Sequence, residues 1–207
     1  MYRFLSSKHN KSYSNTYINE ESDNEDRDDY SEIKIVDNNI YFFTDVNRDT
    51  ILELTLAIKE VTKHLQIMNI KYNIEIPYIN IYINSEGGEV HAALSVFDVI
   101  QNNPIEIKTI ITGNACSAAT IISLAGHQRT ITENSYMLIH NISSSFWGKM
   151  HEFEDEMKNL AKLTTNLKRI YKKHSSINQT QLNSLLKKDI LIDSKTCLKY
   201  GMVDMIE

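Results

Sequence analysis

Short β-branched runs alternate with helix-period segments from Asn39 to Asn141, and this alternation leaves the chain few architectures to choose from. Asn39 to Thr44 is a short apolar strand. Asp49-Thr50 then caps a helix from Ile51 to about Ile67, with apolar positions at Leu52, Leu56, Ile58 and Leu65. Ile79 to Ile83 alternates as a strand should and runs into the Gly87-Gly88 turn. Val90 to Gln101 has helical spacing in Ala93, Leu94, Val96, Phe97 and Ile100, and Asn102-Asn103-Pro104 closes it. A strand over Ile105–Thr112, a buried helix over Ser117–Leu124, and strands over Arg129–Thr132 and Tyr136–Asn141 complete the series. Strand and helix in alternation predict an α/β fold with a mainly parallel sheet. Ligand sites of such sheets lie at the carboxyl ends of the strands, where Gly87-Gly88, Ser117 and His140 all fall.

At 207 residues the chain is long enough for one domain with a substantial core. Its formal charge of −5 is unevenly spread. Residues 1–19 carry Arg3, Lys8 and Lys11 and no acid, whereas residues 20–32 hold eight acids and only Arg27. This polar stretch cannot bury enough apolar surface to offset its ordering entropy. Residues 1–32 are therefore expected to be a disordered tail, and residues 33–207 the folded domain. Without a basic face, a nucleic-acid partner is not expected. No apolar run is long enough to cross a bilayer, so no membrane partner is expected. Cys116 and Cys197 have neither metal nor disulfide spacing, which predicts a reducing, cytoplasmic setting and no metal. Basic, acid-free Met1–Asn19 also fits an organelle transit segment, the alternative to a plain tail.

The chemistry concentrates in Gly113-Asn114-Ala115-Cys116-Ser117-Ala118-Ala119. Small neighbours let the backbone turn tightly and let a substrate approach the hydroxyl. Taken alone, Ser117 reads as a helix N-cap; beside a histidine at a strand end it reads as a nucleophile, which needs a base to take its proton. Of the seven histidines, His140 alone ends an apolar strand at the sheet edge. An imidazole, with its ordinary pKa near ~6.5, suits that role. Asp189, Asp193 and Asp204 are the carboxylates available to orient the ring. Gly87-Gly88 can present backbone N–H groups to an oxyanion. Cys116 reads as a small buried filler rather than a second nucleophile.

Ile79–Gly88, Gly113–Ala119, Met137–His140, and Asp189 followed by Tyr200-Gly201-Met202-Val203-Asp204 resemble, in this order, ClpP, the proteolytic subunit family of the ATP-dependent Clp protease. The resemblance runs from about Asn39 to the C-terminus. It implies a spiral α/β core shared with crotonases and a protruding strand-helix handle. It implies a serine endopeptidase with Ser117 as nucleophile, His140 as base and Asp189 as orienter, with Asp193 second. The oxyanion donors would be the N–H groups of Gly88 and Ala118. It further implies two stacked heptameric rings, unfolded polypeptide substrates, and a separate AAA+ unfoldase of the ClpX/ClpA type. ATP would be used only by that partner, with no cofactor in this chain, which has no Walker A string of its own. The acidic run would lie in a processed pro-segment or in axial loops.

Met150, Phe153, Met157, Leu160, Thr164, Leu167 and Tyr171 recur at spacings of 3 and 4 in a helix expected over Gly148–Lys173. The resemblance makes this the handle helix, with Asn141–Gly148 as its strand. Two departures stand out. Glu86 replaces a usual proline and is expected to point away from the oxyanion, and Asn141–Gly148 is poorer in glycine than the family strand. The Gly126–Arg129 hairpin is also slightly short. Three alternatives share the fold: a crotonase-like acyl-CoA enzyme, which needs no triad; an inactive ring subunit serving as scaffold; and a viral capsid maturation protease.

Overall fold

A computed structural model describes residues 32–207, and the expectations for residues 1–31 lie outside that range. The chain opens with a hairpin, β1 (Ile33–Val36) against β2 (Asn39–Phe42), turning through Asp37 at φ 56°. It continues through α1 (Arg48–Tyr72), β3 (Ile79–Ser85), α2 (Val90–Gln101) and β4 (Ile107–Cys116). After α3 (Ala118–Leu124) come β5 (Gln128–Ile131), β6 (Tyr136–Leu138) and α4 (Met150–Lys173). The C-terminal part comprises α5 (Gln179–Leu185), β7 (Ile192–Asp193), α6 (Ser194–Lys199) and β8 (Met205–Ile206).

The expected parallel α/β sheet is present. β2, β3, β4 and β5 pair in parallel in that order, and β8 joins β5 in parallel. Among the described strands, only the β1–β2 and β6–β7 pairs are antiparallel. β4 is the hinge of the topology. One edge pairs with β3; the other pairs with β5 over Lys108–Ile111 and then with β6 over Asn114–Cys116. The sheet therefore forks at Gly113, where φ is 92° and a Cβ would come within 2.8 Å of the Asn84 amide oxygen. β4 runs four residues beyond its expected end at Thr112, because β6 supplies the pairing partner that Gly113–Cys116 need.

The core is an aliphatic layer between the sheet and its helices. In β3, Ile79, Ile81 and Ile83 are fully buried and alternate with partly exposed Asn80 and Tyr82. α1 starts and ends outside its expected bounds. Its cap is Asn47, whose Oδ1 accepts from the N–H groups of Asp49 (2.9 Å) and Thr50 (3.0 Å), while the Asn47 N–H donates to Thr50 Oγ1 (3.1 Å). Asn73, in the left-handed conformation, ends it. The stripe that meets the sheet is Ile51, Leu54, Ile58 and Val61; Leu52 and Leu56, two of the apolar positions in the sequence pattern, are more than half exposed on the other face. Gly126–Arg129 is not a hairpin. It links α3 to β5, which lies parallel to β4, and His127 is fixed there by accepting the Ile107 N–H at 3.1 Å.

α4 has two unlike halves. Met150 and Met157 are largely exposed, whereas Ile170 and Tyr171 are buried. The chain from Asn141 to Gly148 forms no strand, so only the helical part of the expected handle is regular, and Trp147 is 98% exposed. At its C-terminal end, His174 packs edge-on against Phe97, with ring centroids 5.3 Å apart.

Burial, then the nearby Lys173, Arg129 and Arg169 charges, hold the His174 pKa below its ordinary 6.5. The unfolded chain therefore binds this proton more readily than the folded one, and folding stability falls as pH drops through 6.5. The loss levels off below the depressed folded value. In paired thermal melts across this range, His174→Gln should show a flatter pH dependence than the parent chain. An identical slope would contradict this assignment.

Candidate active site

Three neighbouring parallel strands end at one place. β3 ends at Ser85, just before Gly87-Gly88. β4 ends at Cys116, just before Ser117, and β6 ends at Leu138, two residues before His140. Since β4 pairs with both β3 and β6, these three loops are side by side. The Ser117 N–H donates to Leu138 O at 2.8 Å, extending the β4–β6 ladder by one rung and setting the serine alongside the His140 segment.

Ser117 occupies the turn between β4 and α3 with φ 52° and ψ −120°, a conformation that costs a non-glycine residue free energy. Its side chain does not cap α3, which removes the simplest structural explanation for a serine here. Its neighbour Gly87 is a steric requirement. With φ 97°, a Cβ there would come within 2.5 Å of Cys116 O and 2.8 Å of Ser117 Cβ. The Gly87 N–H donates to buried Ser85 Oγ at 3.1 Å.

Gly88 bridges to Val46. That bridge uses Gly87 O, which accepts the Val46 N–H at 2.8 Å, and the Glu89 N–H, which donates to Val46 O at 2.7 Å. In a parallel bridge the central residue's own N–H points to the opposite side. A Cβ on Gly88 would lie 2.2 Å from Val46 O, so a proline or alanine there would disturb the backbone as well as any donor role. Ala118 is the first residue of α3, and its N–H is one of the donors that a helix leaves without an intrahelical partner.

The three candidate carboxylates separate cleanly. His140 Nδ1 lies 3.2 Å from Asp189 Oδ1. A neutral ring that donates from Nδ1 keeps Nε2 free as an acceptor. The Asn141 N–H donates to Leu186 O at 3.0 Å, which ties the segment carrying Asp189 to the histidine. Asp193 caps α6, its Oδ1 accepting the Thr196 N–H at 2.7 Å, and these bonds hold its carboxyl below the usual range. Asp204 grips Arg129, accepting from its backbone N–H (2.9 Å), its Nε (3.1 Å) and its Nη2 (2.5 Å). Thus His140 and Asp189 are brought together, Ser117 is set beside them through its backbone, and Asp193 and Asp204 have structural duties. Among the described residues no hydrogen bond joins the Ser117 hydroxyl to His140; catalytic hydrogen bonds often tighten only when substrate arrives.

The Glu86 side chain is exposed, and its carboxylate accepts from the Asn114 amide. Burial, then the Glu86 charge and its hydrogen bond, push the Cys116 thiol up to about 11. At neutral pH Cys116 is a protonated thiol and not a competing nucleophile.

The carboxyl-end loops of these parallel strands bring a serine, a histidine–aspartate pair and a glycine turn to one place. The family model described as Clp protease matches residues 37–207, and the chain belongs to that family. The ATP-dependent Clp protease proteolytic subunit of Deinococcus radiodurans is 33% identical over 130 residues. That match spans 62% of this chain and 64% of the relative. A mutant of ClpP1 from Listeria monocytogenes has the same fold, with a TM-score of 0.70 at 20% identity over 82% of this chain and 91% of that one.

The contact between Gly87 and the serine turn has a direct consequence. Gly87→Ala places a Cβ against Cys116 O at a positive φ, which alone costs about 1–2 kcal/mol. The variant should melt lower than the parent chain in thermal denaturation. An unchanged melting temperature would mean that the two loops are not packed as described.

Proposed function

We propose that the chain is a serine endopeptidase, the proteolytic subunit of a Clp-type protease. The observation that carries this reading is the His140–Asp189 contact at 3.2 Å beside a serine held on Leu138 O at 2.8 Å. In the proposed reaction, Ser117 Oγ attacks the scissile carbonyl as His140 Nε2 takes its proton. The carbonyl π electrons move to oxygen, and the oxyanion is held by the N–H groups of Gly88 and Ala118. Asp189 steadies the imidazolium through Nδ1. His140 then protonates the leaving amine, and water hydrolyses the acyl-enzyme by the same steps in reverse. Serine, imidazole, carboxylate and two N–H groups account for every proton and charge, so the proposed mechanism calls on no metal or organic cofactor.

Unfolded polypeptides are the proposed substrates, delivered by an AAA+ unfoldase into a chamber of two stacked heptamers in a cytoplasmic setting. Family membership supports this assembly, as does the largely exposed N-terminal half of α4, which offers apolar side chains for contact with other copies. No described helix is long and apolar enough to cross a membrane.

Ser117→Ala should abolish hydrolysis of an unstructured fluorogenic peptide by the assembled protein. Asp189→Asn should lower kcat by orders of magnitude, because the ring loses its orienting carboxylate. Asp193→Asn, which keeps a capping oxygen for the Thr196 N–H, should leave turnover near the parent rate. Equal losses in the two aspartate variants would contradict the assignment of Asp189, and full activity in Ser117→Ala would contradict the triad.

A further inference from the structure

Tyr171 is the one residue of the exposed-seam pattern on α4 that is fully committed to the interior, at 4% exposure. Its hydroxyl lies 2.5 Å from Thr120 Oγ1. Thr120 Oγ1 in turn donates to Ser117 O at 2.6 Å, and the Thr120 N–H donates to the same oxygen at 3.1 Å. A threonine hydroxyl has one proton. Since that proton goes to Ser117 O, the Tyr171 phenol must be the donor to Thr120. Burial pushes this phenol up to about 12, with its bond to Thr120 pulling the other way, so it keeps its proton at neutral pH. The bonds run in one direction, Tyr171 to Thr120 to Ser117 O, and donors in series polarise one another.

The end of this relay matters because of peptide planarity. Ser117 C=O and Ala118 N–H belong to one trans peptide group and point in opposite directions. Fixing the oxygen therefore fixes where the Ala118 N–H points. On its other side Ser117 is fixed by the bond to Leu138 O. The strained φ of 52° is thus held from both flanks.

We infer that Thr120 and Tyr171 are positioning residues that aim the Ala118 N–H at the oxyanion, coupling α4 to the chemical step through the Ser117 carbonyl. This rests on the serine-peptidase reading above. Neither residue touches substrate. Their effect falls on the transition state, where the oxyanion forms, and not on ground-state binding.

The test uses the full chain in its assembled form, with an unstructured peptide substrate and a peptide aldehyde. The aldehyde carbon bonds to Ser117 Oγ, its π electrons move to the oxygen, and the serine proton passes to His140, so the hemiacetal oxygen reports on the oxyanion site. Tyr171→Phe should lower kcat by about tenfold, with KM within about twofold, and should weaken aldehyde inhibition in proportion. Thr120→Ser, which keeps the hydroxyl, should retain most of the rate. Thr120→Val should lose more rate than Tyr171→Phe and also melt lower, since it strands the buried phenol. Adding Tyr171→Phe to Thr120→Val should recover melting temperature but not rate. Rate recovering together with stability would overturn the inference, leaving the pair a packing feature. Full activity in Tyr171→Phe with Ser117→Ala inactive would overturn it alone, whereas hydrolysis surviving in Ser117→Ala would overturn the site reading beneath it.

Discussion

Everything at the site depends on β4 being hydrogen-bonded along both edges up to Cys116. β3 holds one edge, and β5 followed by β6 hold the other. Such a strand has little freedom to shift along its axis. Ser117 is the first residue past the ladder, and its N–H still makes one more rung on Leu138 O. The Ser117 side chain, the proposed nucleophile, therefore begins from a rigid origin, and the histidine segment is placed by the same rungs. The fork at Gly113 makes this possible, because it lets a second strand take over where β5 ends. The strain at Ser117 persists only because its surroundings over-determine it.

The parallel sheet was legible because Ile79–Ile83 alternates and because helix-period segments separate the strands. The carboxyl-end placement of Gly87-Gly88, Ser117 and His140 followed from the same pattern. The apolar pattern of α1, which includes exposed Leu52 and Leu56, does not itself pick the buried face; the sheet selects the stripe through Ile51, Leu54 and Ile58. The strand through Gly113–Cys116 was hidden because its partner, β6, lies more than twenty residues on. The small C-terminal elements, β7, α6 and β8, carried too few residues for any periodicity to register. Between the three aspartates, sequence offered no physical ground for choice apart from resemblance. The structure separates them by partner: imidazole for Asp189, a helix cap for Asp193, a guanidinium for Asp204. Tyr171 looked like one more seam residue and Thr120 like one more member of a buried run. Their connection to Ser117 required knowing that the end of α4 crosses the start of α3.

α4 divides between interior and solvent. Its last turns enter the core and meet α3, while its first turns present methionine and phenylalanine to solvent. Phe146 and Phe153 pack edge to face at 4.9 Å, so part of this apolar surface already folds on itself. The absence of a strand over Asn141–Gly148 leaves the stretch after His140 without a ladder partner in the single subunit. Glu86 is the other local peculiarity. Its bond to Asn114 ties the carboxylate to the β4 side of the site.

The central claim is that Ser117 is an activated nucleophile because His140 and Asp189 are assembled beside it. Labelling the assembled protein with a fluorophosphonate and locating the adduct by mass spectrometry tests this most directly. The account predicts an adduct on Ser117 that is lost in His140→Ala. An assembled protein that forms no adduct, or whose Ser117 is labelled equally well without His140, would contradict it.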